Sequence, residues 1–295
     1  MRARLLTLAL AGVLSLTAVS AAQAAAAPGD LLPDLEQEPP SALVLTSGAF
    51  SGHPDRYYLG FRSAVRNVGD GPLIISGRRA SRRTPTMVAT QRIQGPGGTT
   101  RRVHGVGRMR YVVSPGHRHW HLLTFDRYTL RRIGGRRVVR RDRKTGFCLG
   151  DRFRSAVPSS GPSPAVPPYT SNCGLLQPAR LHVTEGISVG YGDDYTANLE
   201  GQYIGLRGLP AGDYVLTHDV NAAHRLRELD YGNNAASLRL NLRWLGGKPS
   251  VRVLASCEHS ARCTKAGMSR RRVAGRSVAF AAAAPLLYCH LRQPG

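Results

Sequence analysis

The stretch "YVVSPGHRHWHLLTFDRY", residues 111–128, places His117, His119 and His121 at alternate positions in a chain of 295 residues with only ten histidines. In a β-strand successive side chains point to opposite faces, so the three imidazoles would share one face and Arg118 and Trp120 the other. On a helix the same spacing would spread the rings over most of the circumference. The neighbouring Tyr111, Val112, Val113, Thr124, Phe125 and Tyr128 are β-branched or aromatic, so the stretch reads as strand. Three converging imidazoles make a candidate metal site. Imidazole suits copper, zinc, iron and nickel, and three ligands leave positions open for water, oxygen or substrate.

The rest of the chain has the same texture. Short apolar runs punctuated by Gly, Pro and Asn recur at residues 57–65, 73–75, 137–140, 203–206, 214–220 and 236–242, and helix signals are scarce. The pattern predicts an all-β fold, an antiparallel β-sandwich with long loops. Gly134-Gly135, between "RYTLRRI" and "RRVVRR", predicts a tight hairpin. "LPAGDYVLTHDV" and "SLRLNLRW" predict an antiparallel pair joined by a long loop. Residues 155–170 are rich in Pro and Ser and predict an extended surface loop.

Residues 1–24 read as a secretory signal peptide: Arg2 and Arg4 precede an apolar run, and Ala22-Gln23-Ala24 fits the small-x-small cleavage rule. The mature chain is therefore expected to be secreted, with a β-sandwich over 28–247, a short disulfide-bearing extension over 248–263 and a basic, Ala-rich tail over 264–295. The apolar run 278–288 is too short to span a bilayer, so no transmembrane segment is expected. Five cysteines fit an oxidising compartment. The expected pairs are Cys148–Cys173 and Cys257–Cys263, which leaves Cys289 over.

Charge is extreme, 41 Lys+Arg against 18 Asp+Glu for a net +23. Losing Arg2 and Arg4 with the leader lowers it by two, to +21. Such a surface favours nucleic acids, acidic polymers or anionic lipids. No spaced base-reading motif is present, which argues against specific nucleic-acid binding. Against this arginine background the chain has three lysines, Lys144, Lys248 and Lys265. Where charge alone is needed the sequence supplies Arg, so Lys144 in "RRDRKTGFCLGD" stands out: Lys can lose its proton and become a nucleophile, and Arg cannot. A solvated lysine in a basic turn is the competing reading. Downstream, "GYGDDYTANLEGQYIGL" offers Tyr191, Tyr195 and Tyr203 as core or redox residues, beside Asp193 and Asp194.

Together these blocks resemble the lysyl oxidase family of copper-dependent amine oxidases. The family's His-x-His-x-His strand is matched by His117, His119 and His121, followed by Phe125 and Tyr128. Its Lys-x-x-Phe-Cys-Leu is matched by Lys144, Phe147, Cys148 and Leu149. Its Asp-x-Tyr-x-Ala-x-Ile-x-x-Gln-Trp-Ile is matched from Asp193 to Ile204, with Tyr203 in the Trp position, and a Pro-Gly-x-Tyr-x-Leu by Pro210 to Leu216 with one extra residue. The resemblance covers roughly residues 33–244. It implies copper on the three histidines and a lysine tyrosylquinone joining Lys144 to Tyr195. It implies oxidation of a primary amine, or of peptidyl lysine, by O2 to an aldehyde, with release of ammonia and hydrogen peroxide. A carboxylate is a sensible general base, with Asp193, Asp194 and others left open.

The same resemblance implies calcium. In "ELDYGNN" it points to Glu228, Asp230, Asn233 and Asn234, joined by Asp34 and the Leu35 carbonyl from "PDL" near the start, an all-oxygen set of the kind calcium prefers. A loop whose side chains cap their own backbone is the competing reading. The chain departs from animal members in having Gly116 where they carry a cysteine, in one residue fewer between His121 and Phe125, and in the loop between Cys148 and Cys173. Substrate is left open among a protein lysine, a small primary amine and an amine held on an anionic cell-envelope polymer. The alternative reading is a non-catalytic secreted sandwich that binds metal and such a polymer. A zinc hydrolase ranks behind both for want of a paired Glu near the strand.

Overall fold

The computed structural model describes residues 27–48, 53–114, 117–142, 144, 146–197, 199, 201–264 and 278–279. The expected signal peptide, Gly116, Cys289 and nearly all of the expected tail lie outside them. The fold is all-β and antiparallel, and its strands form three sheets. The first is built on the long β3 (His53–Asn67), which pairs with β1 (Leu35–Gln37), β2 (Ser41–Gly48), β12 (Tyr191–Tyr195) and β13 (Tyr203–Gly205), while β10 (Phe153–Arg154) adds to β12. The second runs in the order β11 (His182–Ile187), β4 (Leu73–Arg78), β5 (Thr86–Gln94), β6 (Thr100–Ser114), β7 (His117–Leu122). The third runs β16 (Lys248–Cys257), β15 (Ala235–Leu245), β14 (Gly212–Val220), β8 (Asp126–Arg132), β9 (Val138–Arg141).

Period-two burial explains the strands. In β5, Met87, Ala89 and Ile93 are buried while Val88 is exposed, the alternation of a sheet with one face on the core. Gly77 lets β4 lie close to its neighbours, because a Cβ there would sit 2.2 Å from the Met109 sulfur. The expected hairpin at Gly134-Gly135 forms, with Gly134 at φ +73° and the Gly135 N–H donating to the Arg132 carbonyl. β14 and β15 form the expected pair across the loop 221–234. The boundary placed after residue 247 falls inside the β15–β16 hairpin, so 248–257 is a full sheet strand. Farther on, the Val278 N–H donates to the Val251 carbonyl and its side chain packs against the core.

The core is one large cluster, with a small second one of Val215, Cys257 and Cys263. An aromatic chain threads the large one toward the histidine strand. Phe61 meets Tyr128 edge-on at 5.0 Å, Tyr128 meets Phe147 at 6.2 Å, and Phe147 meets Tyr195 at 5.0 Å. Each such contact contributes about 0.5–1.5 kcal/mol beyond its area burial. β7 ends its sheet, but its outer edge is covered. Trp120 N–H donates to the Cys173 carbonyl, and Leu122 exchanges two hydrogen bonds with Phe147. Loop backbone thus takes the place of a further strand.

Candidate active site

β7 pairs with β6 in a register that sets His117 opposite Ser114, His119 opposite Val112 and His121 opposite Arg110. The strand period puts the three rings on one face, with centroids 4.7–5.4 Å apart and one ring nitrogen of each within 4.8 Å of the others. Trp120 faces the other way, buried under the Arg79 guanidinium at 4.6 Å. Burial, reinforced by neighbouring cations, pushes the His119 pKa down to about 4 and that of His121 to about 2. These rings are therefore neutral at pH 7, the state in which imidazole binds a metal. The Nδ1 of His121 is buried without a hydrogen-bond partner, so a ligand-ready nitrogen set fits a copper ion.

Lys144 reaches the same place. Its Nζ lies 4.4 Å from the centre of the Tyr195 ring and 5.0 Å from that of Phe147. Its backbone N–H donates to Asp142. The Leu122–Phe147 bridge fixes the segment that follows against β7. Tyr195 ends β12, buried, its hydroxyl donating to the Cys148 carbonyl at 2.8 Å and hydrogen-bonded with the Asp193 carboxyl at 2.9 Å. Burial raises the Asp193 pKa to about 8 and that of Tyr195 well above its usual value, so Asp193 holds a proton at pH 7. Asp194, one residue on, faces outward and pairs with Arg62 and Arg152. Of the two aspartates, Asp193 shares the tyrosine's face and Asp194 does not.

A second buried carboxyl, Glu185 of β11, was not anticipated. It lies beside Cys148 and Cys173, and burial holds its pKa well above the usual range. Those two cysteines are bonded to each other, so this group is a carboxyl packed on a disulfide. The Cys257–Cys263 disulfide also forms as expected.

The residues expected to bind calcium also come together. Asp34 accepts from the Asn233 amide at 2.7 Å, and Glu228 accepts from the Asn234 amide at 2.7 Å and the Leu35 N–H at 3.1 Å. Asn221, missed in the sequence, donates a further bond to Glu228. The side-chain oxygens of Asn233 and Asn234 are buried without partners. Burial raises the Asp34 pKa, with Asp230 adding like-charge repulsion, and pushes Glu228 up to about 7. Orphaned amide oxygens beside under-neutralised carboxylates fit a hard cation. Asp230 is exposed, its carboxylate accepting from the Gly232 N–H.

No helix among the described residues is long and apolar enough to cross a membrane. The family model for lysyl oxidase matches residues 89–248. Lysyl oxidase homolog 2 of Gallus gallus is 30% identical over 134 residues, 45% of this chain and 15% of that protein. Protein-lysine 6-oxidase is 28% identical over 134 residues both in Sus scrofa, covering 44% of this chain and 45% of that protein, and in Homo sapiens, covering 44% and 27%. The chain thus matches less than half the length of these relatives. With the family model covering more than half of its residues, including the histidine strand, Lys144 and Tyr195, the chain belongs to the lysyl oxidase family.

Proposed function

We propose that the protein is a secreted amine oxidase that depends on copper and on a lysine tyrosylquinone made from Lys144 and Tyr195, and that it oxidises primary amines, protein lysines among them, to aldehydes. The observation that carries this reading is the 4.4 Å approach of Lys144 Nζ to the Tyr195 ring, in a site that also holds three clustered histidines. Family membership supports the oxidase class, and relatives named protein-lysine 6-oxidase support the substrate. His117, His119 and His121 would hold the copper. Bound copper with O2 would supply the oxidation of the tyrosine, and the quinone would supply an electrophilic carbonyl for a primary amine. Asp193, protonated at neutral pH and hydrogen-bonded with the Tyr195 hydroxyl, is the group placed to give a proton at that oxygen and recover it. Phe147 and Tyr195 wall the amine of Lys144 with aromatic rings, which limits competing contacts with water. Asp34, the Leu35 carbonyl, Glu228, Asp230, Asn233 and Asn234 would hold calcium as a structural tie.

A peptide-map mass spectrum of the exported protein, loaded with copper in air, tests this reading. The expected result is one species joining the Lys144 and Tyr195 peptides, missing from His119→Ala. Separate peptides despite bound copper would overturn it in favour of a non-catalytic metal-binding protein.

A further inference from the structure

The sheet that carries the histidines has a one-sided charge. Among all the residues of β4, β5, β6, β7 and β11 the single carboxylate is Glu185, which is buried and faces the core. The other face carries Arg78, Arg92, Arg102, Arg108 and Arg110. The register binds them into one field: Arg110 lies opposite His121, Arg108 opposite Val88, Val88 opposite Arg78, and Arg102 opposite Arg92. Partners in an antiparallel ladder share a face, so the arginines lie on the same side as the three histidines. Arg78, Arg102, Arg108 and Arg110 are exposed. None of the five forms an ion pair among the described residues.

We infer that this face is a docking track for acidic polypeptide segments, and that the preferred substrate is a lysine flanked by aspartates or glutamates. The inference rests on the amine-oxidase reading and narrows its substrate. A lysine arrives as an ammonium ion and gains nothing from approaching a field of arginines; carboxylates beside it reverse the sign of the encounter. From β7 to β4 is three strand spacings, about 14 Å, which an extended peptide crosses in about four residues. Carboxylates within about four positions of the lysine therefore reach Arg110, Arg108 and Arg78 while the amine reaches the histidine end. The face presents Ser76, Thr86, Val88, Thr90, His104 and His182 among the arginines and no Phe, Tyr or Trp from its own strands on which bases would stack, which favours a peptide over a single-stranded nucleic acid.

The test uses the copper-loaded full chain and peptides with one lysine, flanked at two and four positions by Asp/Glu or by Ser/Gln. The acidic peptide is expected to show a kcat/KM at least about tenfold higher. That preference should shrink to within about twofold in Arg78→Ser/Arg108→Ser and in 0.5 M salt, where screening reaches only a few ångströms. Benzylamine turnover should not change in the same variant. Equal turnover of both peptides, or a preference that survives the variant, would sink the inference. Should benzylamine itself go unoxidised, the enzyme reading fails separately. Fluorescence anisotropy with an acetyl-lysine acidic peptide then decides the surface alone: binding lost with Arg78 and Arg108 supports the track, and absence of binding overturns it. A single-stranded oligonucleotide of equal charge that binds more tightly at 0.15 M salt would reassign the face to nucleic acid.

Discussion

The histidine strand and the Asp34–Asn234 cluster are both suited to a cation, and they are built from opposite materials. The first takes three nitrogen donors from one six-residue strand, where the pleat alone aligns them. The second gathers oxygen donors from segments as far as 199 positions apart, and only the finished fold brings them together. Burial acts on the two with opposite consequence. At the histidines it removes protons and readies the ligands. At the carboxylates it favours the protonated, non-ligating form, so Glu228 and Asp34 await a positive partner. The nitrogen site is thus local and poised for chemistry, and the oxygen site is a clasp on the fold.

The sharpest break between them is His119→Ala. Copper content should fall below about a tenth of an equivalent, and amine oxidation should drop by at least about 100-fold. Thermal stability in calcium should hold nearly constant. Metal analysis beside an oxidase assay reads the first two, and a large fall in Tm would merge two roles that the geometry keeps apart. Calcium removal is the converse. Saturation at about 100 times Kd stabilises by about 2.7 kcal/mol, so chelation should lower Tm by about 5–10 °C and leave copper content unchanged. Asp34→Asn should abolish most of that response in a calcium titration followed by calorimetry.

A smaller effect sharpens the role of burial near the nitrogen site. The folded Asp193 keeps its proton up to about pH 8, whereas an exposed aspartate releases it near 3.8. Its contribution to stability is full below the lower value and is lost as pH rises toward the higher one. Asp193→Asn should therefore flatten the fall in Tm between pH 5 and 8 by about 3 °C per pH unit. An unchanged slope would place the titration elsewhere, Glu185 being the first candidate.

The same contrast governs what the sequence disclosed. His117, His119 and His121 were legible because their period is the strand's own. Asp193 carried the same signal, two residues before Tyr195, but assigning it needed the face that β12 buries, which β3 decides. β5 escaped because "TMVATQRIQ" turns inward a small Ala89 and a polar Gln91, whose amide is spent on the Arg227 backbone, so the hydrophobic alternation is faint. Glu185 was invisible for a stronger reason: nothing local marks a carboxylate for burial against a disulfide formed 12 or more residues upstream. The oxygen cluster was reached only through family resemblance. Asn221 was missed even so, being a packing residue of the loop rather than part of "ELDYGNN".

Cys148 sets a timetable. Its sulfur is bonded to Cys173 and its carbonyl receives the Tyr195 hydroxyl, four residues after Lys144. The covalent staple that fixes this segment against the edge of β7 is therefore also the one that aims the phenol at the amine. If the proposed quinone forms, oxidative folding would come before its assembly, and a chain made in a reducing compartment would carry the three histidines but no aligned pair to join. Under the proposed function, maturation would then be licensed by arrival in an oxidising compartment.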